Sequence, residues 1–169
     1  DILTRLAAMR LGLGDAAGAA KDLEQSIELA PKKVDTNEAL IVAALANGEV
    51  DRAAAALEKV KQGGVRSENI ALLEGMVRGA QLNFEGAKAA YAAVLRDYPG
   101  SVRARFNLAR LALMESNNAE AEQYLVEVLR QEPANEQALT ALMQLLLADG
   151  KPLKDDIQAY FAREVLPHA

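Results

Sequence analysis

An all-α solenoid of stacked antiparallel helix pairs is the fold this sequence predicts, and three observations predict it. Four of the five prolines lie on one ruler: Pro31, Pro99, Pro133 and Pro167 are 68, 34 and 34 residues apart, Val65 stands at the missing point, and only Pro152 is off the step. Small and aliphatic residues keep the same step of 34. Within each step the apolar period is 3.6 rather than 2, as in the stripe Leu23, Ile27, Ala30 and in Leu108, Leu111, Ala112, Met114. A fixed period of this length marks a repeat array in which each unit buries its apolar face only against its neighbours.

The elements follow from the lattice. Ala19, Ala53, Ala87 and Ala121 lie 12 residues before each lattice point, and Leu23, Leu57, Tyr91 and Leu125 lie 8 before it. Ser26, Val60, Val94, Val128 and Ala162 follow at 5 before. Earlier in each unit come Leu6, Leu40, Leu108 and Leu142, with Glu74 as the exception. Beside them stand Ala7, Gly75 and Ala109, where Ile41 and Met143 are bulkier. Small residues sit where two helix backbones approach, and larger ones fill the space between. Gly14, Gly48 and Gly150 break the chain between the two helices of a unit, and the proline stops the second helix because it cannot continue the i to i−4 ladder.

First helices are predicted over 1–13, 34–47, 68–81, 102–115 and 136–148, and second helices over 17–30, 51–62, 85–98, 119–131 and 154–166. Asp35-x-x-Glu38 and Asn117-x-x-Glu120 read as capping boxes at two helix starts. The whole is one domain, 1–169, of about five units and ten helices (1–33, 34–67, 68–101, 102–135 and 136–169). It reads as a piece of a longer protein.

Composition narrows the function. The 51% hydrophobic and 25% charged content is that of a folded chain, and the 34 alanines among 169 residues favour close helix contacts. A net charge of −5 argues against a nucleic-acid partner, which is held mainly through phosphate contacts. There is no Cys and one His, His168, at the chain end, which removes thiolate chemistry and leaves no His-based catalytic or metal set. Gly12-x-Gly14-x-x-x-Gly18 comes within one residue of a dinucleotide fingerprint, but a helical stripe rather than a strand precedes it. Asp155 and Asp156, adjacent on a helix, point different ways and read as a solvated face. No apolar run reaches membrane-spanning length, so no direct membrane insertion is expected. The sequence therefore carries no catalytic, cofactor or metal constellation.

The 34-residue unit resembles the tetratricopeptide repeat. LAAMRLGLGDAAGAAKDLEQSIELAP in the first unit and GAKAAYAAVLRDYP in the third carry the family's small residue, Gly-Asp turn, Ala, aromatic or Leu, and terminal Pro. The resemblance implies a right-handed superhelix with a concave groove that binds a protein or peptide partner. It also implies which positions line that groove: Asp35, Glu38 and Val42, then Leu72 and Met76, then Arg103, Phe106, Arg110 and Leu113, and in the last unit Gln144. Arg103, Phe106, Arg110 and Leu113 fall on one helical face, two guanidiniums flanking a ring, and such residues anchor interfaces. The competing reading makes Phe106 a filler of the inter-repeat core. Family members that bind chaperone tails use a carboxylate clamp, and Thr4 and Ala8 stand where its charged and amide groups would be.

Two departures stand out. Gly63-Gly64 replaces the proline stop of the second unit and predicts a looser junction, and Asp155 replaces a small residue, so 154–166 is expected as a terminal cap. The Ala-rich units are similar to bacterial envelope members of the family that serve exopolysaccharide export and protein sorting, which implies a periplasmic or cell-envelope scaffold. A regulatory or recruiting module of a larger enzyme is the alternative.

Overall fold

The structure, a computed structural model, describes residues 2–29, 34–64, 66–148 and 162. Among them lie nine α-helices and no strand: α1 (Ile2–Gly12), α2 (Ala16–Leu29), α3 (Val34–Ala46), α4 (Val50–Gln62), α5 (Glu68–Ala80), α6 (Phe84–Asp97), α7 (Val102–Met114), α8 (Asn118–Gln131) and α9 (Glu136–Ala148). The nine observed helices match the predicted ranges closely, and the predicted helix over 154–166 lies outside the described residues. The fold is an all-α helical repeat.

The turns explain the ruler. Gly14 and Gly48 adopt φ of 82° and 75°, and the same left-handed conformation recurs at Leu82 (φ 60°) and Ser116 (φ 59°), one step further each time. Each of these residues closes the same helix end, because the next amide reaches back five residues: Asp15 to Arg10, Glu49 to Ala44, Asn83 to Arg78 and Asn117 to Ala112, at 2.8–2.9 Å. The turn is therefore kept even where the sequence has lost the glycine that makes it cheap. For a residue with a Cβ this conformation costs about 1–2 kcal/mol. Leu82 is exposed and loses little packing on truncation, so Leu82→Gly is expected to stabilise the chain by about 0.5–1 kcal/mol after the entropy of the added glycine is counted. A thermal melt checks it, and a lowered Tm would show that the side chain contributes more than its backbone costs.

Helix starts keep the step too. Ser67, Ser101 and Asn135 each accept the amide three residues on, at 3.2, 3.2 and 3.0 Å, and so cap α5, α7 and α9. Asp15, Asn83 and Asn117 do the same for α2, α6 and α8, at 2.9, 2.9 and 3.4 Å. Half of the capping box at Asn117 is present, its Oδ1 accepting the Glu120 amide at 3.4 Å, while its side-chain amide, not its backbone amide, donates to Glu120 Oε2 at 2.7 Å. The box expected at Asp35 is not: α3 starts at Val34, so Asp35 lies inside the first turn, where its charge favours the helix N-terminus without capping it.

The chain divides into two compact units, residues 1–90 and 91–169. In the first, α1 pairs with α2 and α3 with α4; α3 packs on α2 and touches α1, and α5 packs on α4 and touches α3. Its core joins the small residues Ala7, Ala19 and Ala53 to Leu23, Ile41, Leu57 and Leu73. Ile41 is completely buried at a position the lattice gives to Ala or Gly in three of the five units. In the second unit α7 pairs with α8 and α9 packs on α8, around Ala109, Ala121, Leu125, Leu129, Leu142 and Leu145. Alanine at the closest approach and leucine beside it is what lets the helices interlock at interior density. The link expected to be loose, at Gly63-Gly64, turns through Gly64 at φ 75°, and α5 then packs on α4.

Candidate interaction surfaces

The expected groove residues fall into two sets, one per unit. In the first unit Asp35 and Val42 are exposed on α3 and Glu38 is half-buried. Glu38 is held: Asn69 of α5 donates an amide hydrogen to its Oε2 at 2.5 Å, tying two successive first helices together. Met76 is half-buried against the core. Leu72 corrects the expectation, for its relative exposure is 0% and it offers a partner no surface. The family's position falls there on a residue that is completely buried.

In the second unit Arg103 and Arg110 of α7 are exposed, while Phe106 between them and Leu113 beyond Arg110 are half-buried and pack on the unit's core. Phe106 is half-buried and packs on the core cluster of α7, α8 and α9. The Asn107 side-chain amide donates to the Arg103 carbonyl at 3.0 Å. Tyr91 lies beneath, and burial pushes its hydroxyl up to about 12, with the Arg110 charge acting in the opposite direction. Gln144 is exposed on α9, where it lines a shallow cleft with Glu136, Gln137, Thr140 and Ala141. The α9 patch is therefore rich in amides and hydroxyl, whereas the α7 patch is cationic and aromatic.

One polar site was not anticipated. Glu74 occupies the position that Leu6, Leu40, Leu108 and Leu142 hold elsewhere. Its carboxylate bonds Arg78 (Nη2 2.6 Å, Nε 3.2 Å) and Lys61 Nζ of α4 at 3.2 Å. Lys61 also faces Glu58 at 3.6 Å. Together they line a cleft of about 250 Å³ between α4 and α5. Burial pushes the Glu74 carboxyl up, but the hydrogen bonds from Arg78 and Lys61 outweigh it and hold the group below the usual glutamate range. The signal was in the sequence: Lys61 is the counterpart of Ile27, Leu95 and Leu129, so two facing positions turn charged at one junction.

A second ionic cluster braces the first hairpin. Arg10 pairs with Asp15 and with Asp22, both at 2.8 Å. The Gly18 amide and then the Arg10 guanidinium hold Asp15 below its ordinary range. Arg52 bridges Glu49 on its own helix start and Glu24 of α2, the latter at 2.5 Å. These groups pair with one another and read as structural. Among the described residues no group of three or more acidic or histidine side chains could hold a metal ion, and no helix is long and apolar enough to cross a membrane.

The comparisons with known proteins agree with this geometry. The family model described as tetratricopeptide repeat matches residues 5–64 and 72–136, and the chain belongs to that family. Members are generally non-catalytic scaffolds that bind protein or peptide partners. No curated protein matches the chain. Among solved structures, a thermophilic TPR protein of Thermus thermophilus, TTC0263, is 18% identical with a TM-score of 0.79, over 99% of this chain and 90% of that one. The pilF protein of Pseudomonas aeruginosa is 22% identical with a TM-score of 0.70, over 89% of this chain and 69% of that one. YrrB, a TPR protein with an unusual peptide-binding site, is 14% identical with a TM-score of 0.56, over 98% of this chain and 85% of that one. At these identities the likeness is one of fold.

Proposed function

We propose that the chain is a non-catalytic scaffold that binds a peptide or helix of a partner protein along the exposed stripe of its first helices, with α7 as the anchoring patch. The observation that carries this reading is the α7 face: two exposed arginines flank a half-buried phenylalanine packed against the core. A rigid aromatic anchor and planar cations are the groups that supply most binding energy at interfaces. A partner segment with an apolar side chain for Phe106 and carboxylates for the arginines complements this patch. In the first unit, Asp35 on α3 is exposed and gives that stripe a negative charge. The single 1–169 repeat domain and the right-handed superhelix belong to this proposal, as does the absence of a nucleic-acid partner, which rests on the net charge of −5.

For its setting we favour the bacterial envelope, with a scaffold role in exopolysaccharide export or secretion; the support is the similarity of the Ala-rich units to envelope members of the family. A recruiting module of a larger enzyme is the second reading, supported by the same surface serving to capture a substrate protein. The test is affinity capture from the native source. Phe106→Ala combined with Arg110→Glu is expected to cut partner recovery at least tenfold while the helical circular dichroism is unchanged. Equal recovery by the variant and the parent chain would move the site off α7.

A further inference from the structure

The cleft between α4 and α5 is polar where the equivalent junctions are sealed. At α2 and α3 the counterparts of Lys61, Glu74 and Arg78 are Ile27, half-buried, and Leu40 and Ala44, both buried. At α8 and α9 they are Leu129, Leu142 and Leu146, all buried. Facing positions on two helices therefore break the apolar pattern at one place, and beside them a space of about 250 Å³ is open. An ion cluster generally stabilises a helix junction less than aliphatic packing does. A break of this kind in an otherwise consistent pattern is where a functional site is to be sought.

The two sides of the cleft differ in chemistry. Ala54, Leu57 and Val77 make one side apolar, the last two only 4% and 3% exposed. The other side carries more donors than its own acceptors use. Arg78 gives Nε and Nη2 to one oxygen of Glu74, at 3.2 and 2.6 Å, and its Nη1 takes part in neither bond. Lys61 Nζ reaches the second oxygen at 3.2 Å, so both oxygens of Glu74 are occupied. Asn83 spends its side-chain oxygen on the Gly86 amide at 2.9 Å and keeps its NH2 as a donor. The remaining acid of the lining, Glu58, lies 3.6 Å from Lys61 with its side chain 61% exposed, where water screens the pair.

We propose that this cleft binds a small aliphatic carboxylate, with its hydrocarbon body on Ala54, Leu57 and Val77 and its charge on the unspent edge of Arg78, Lys61 standing beside it. A guanidinium edge meets a carboxylate through directed, charge-assisted hydrogen bonds. Volume sets the size: the cleft is smaller than the roughly 300–1,000 Å³ of drug-sized pockets, so it takes a single branched side chain with its carboxylate. An aliphatic amine is disfavoured, because the Glu74 oxygens are already occupied and Glu58 stands in water. A free acid and an acid carried at the end of a peptide share this chemistry, and the test separates them.

Isocaproate is titrated into the full chain while the methyl resonances of Leu57 and Val77 are followed by NMR. Saturable shifts are expected, with isocaproamide and acetate each at least tenfold weaker, since one lacks the charge and the other the hydrocarbon. Arg78→Gln should weaken isocaproate at least tenfold. Glu74→Leu fills the cleft, so it should erase the preference for isocaproate over acetate while the melting temperature rises; a ligand lost from a more stable chain is not lost through unfolding. N-acetyl-leucine binding as tightly as isocaproate would support the proposal with a peptide-borne acid as the source, and its exclusion would support it with a free acid. Shifts that fail to saturate, equal binding of the amide, or tighter binding of isohexylamine would overturn it. Phe106 and Arg110 take no part in these titrations, so no outcome bears on the α7 capture assay.

Discussion

Leu125→Ala is expected to cost about 3–4 kcal/mol and to lower the melting temperature by roughly 10 °C. Leu125 sits on α8, the element that packs against both α7 and α9, and it has no exposed surface. Truncation removes the transfer energy of the buried carbons and leaves a cavity walled by Ala109, Ala112, Ala121 and Leu142, residues of the same core. Alanine walls cannot swing inward to fill such a space, which places the cost in the upper part of the usual range for leucine truncation. In a repeat array stability is close to a sum of local and nearest-neighbour terms, so the loss is also expected to be local. Hydrogen exchange should accelerate in α7, α8 and α9 far more than in α1 to α4. A loss under about 1 kcal/mol, or uniform acceleration along the chain, would show that Leu125 is not the keystone its lattice position makes it.

Glu74→Leu is expected to act in the other direction. It restores the residue found at the equivalent places of the other units and fills the cleft between α4 and α5. Replacing a half-buried ionic cluster by a well-packed aliphatic side chain commonly gains about 1–2 kcal/mol. Arg78 and Lys61 are exposed enough to be resolvated, and Lys61 keeps Glu58. The gain should depend on pH. The folded Glu74 carboxyl is held below its unfolded value, so its contribution is fully present above the ordinary glutamate range near pH 4.5 and is lost as pH falls through the lower, folded value. Leucine has no such term, so the advantage of the variant over the parent chain should widen between about pH 5 and pH 3, as urea titrations at several pH values would show. The mirror substitution, Leu142→Glu, should unfold the second unit. The residue equivalent to Lys61 there is Leu129 and the one equivalent to Arg78 is Leu146, both buried, so the new carboxylate would meet no cation. If Glu74→Leu is instead destabilising at neutral pH, the ion cluster stabilises this junction more than apolar packing can.

The two predictions share one cause. Each junction presents the same few positions to its neighbour, so a residue's effect is set by what stands one step away. That is also why the two α7 arginines can be altered without harm to the fold. Arg103 and Arg110 are exposed beside an anchored Phe106, and the core beneath is complete without them.

By itself the sequence determined the fold class, the 34-residue step and the placing of all nine described helices, because each of those depends on local patterns that the chain states repeatedly. A proline ends a helix and an alanine permits a close approach whatever lies around them. The sequence also identified Arg103, Phe106, Arg110 and Leu113 as one face, since four residues at helical spacing share a side by geometry alone. What only the tertiary structure decided is which faces are covered. Leu72 was expected to line a groove and is buried, while Ile2, Leu6 and Met9 look like any core stripe and are exposed. Leu82 and Ser116 take the left-handed turn without glycine because the hydrogen bonds on either side fix it. Glu74 looked like an isolated exception until Lys61 and Arg78 came within bonding distance of it. Burial and pairing are properties of neighbours brought together across the stack, and periodicity along one stretch of sequence does not say which neighbour is present.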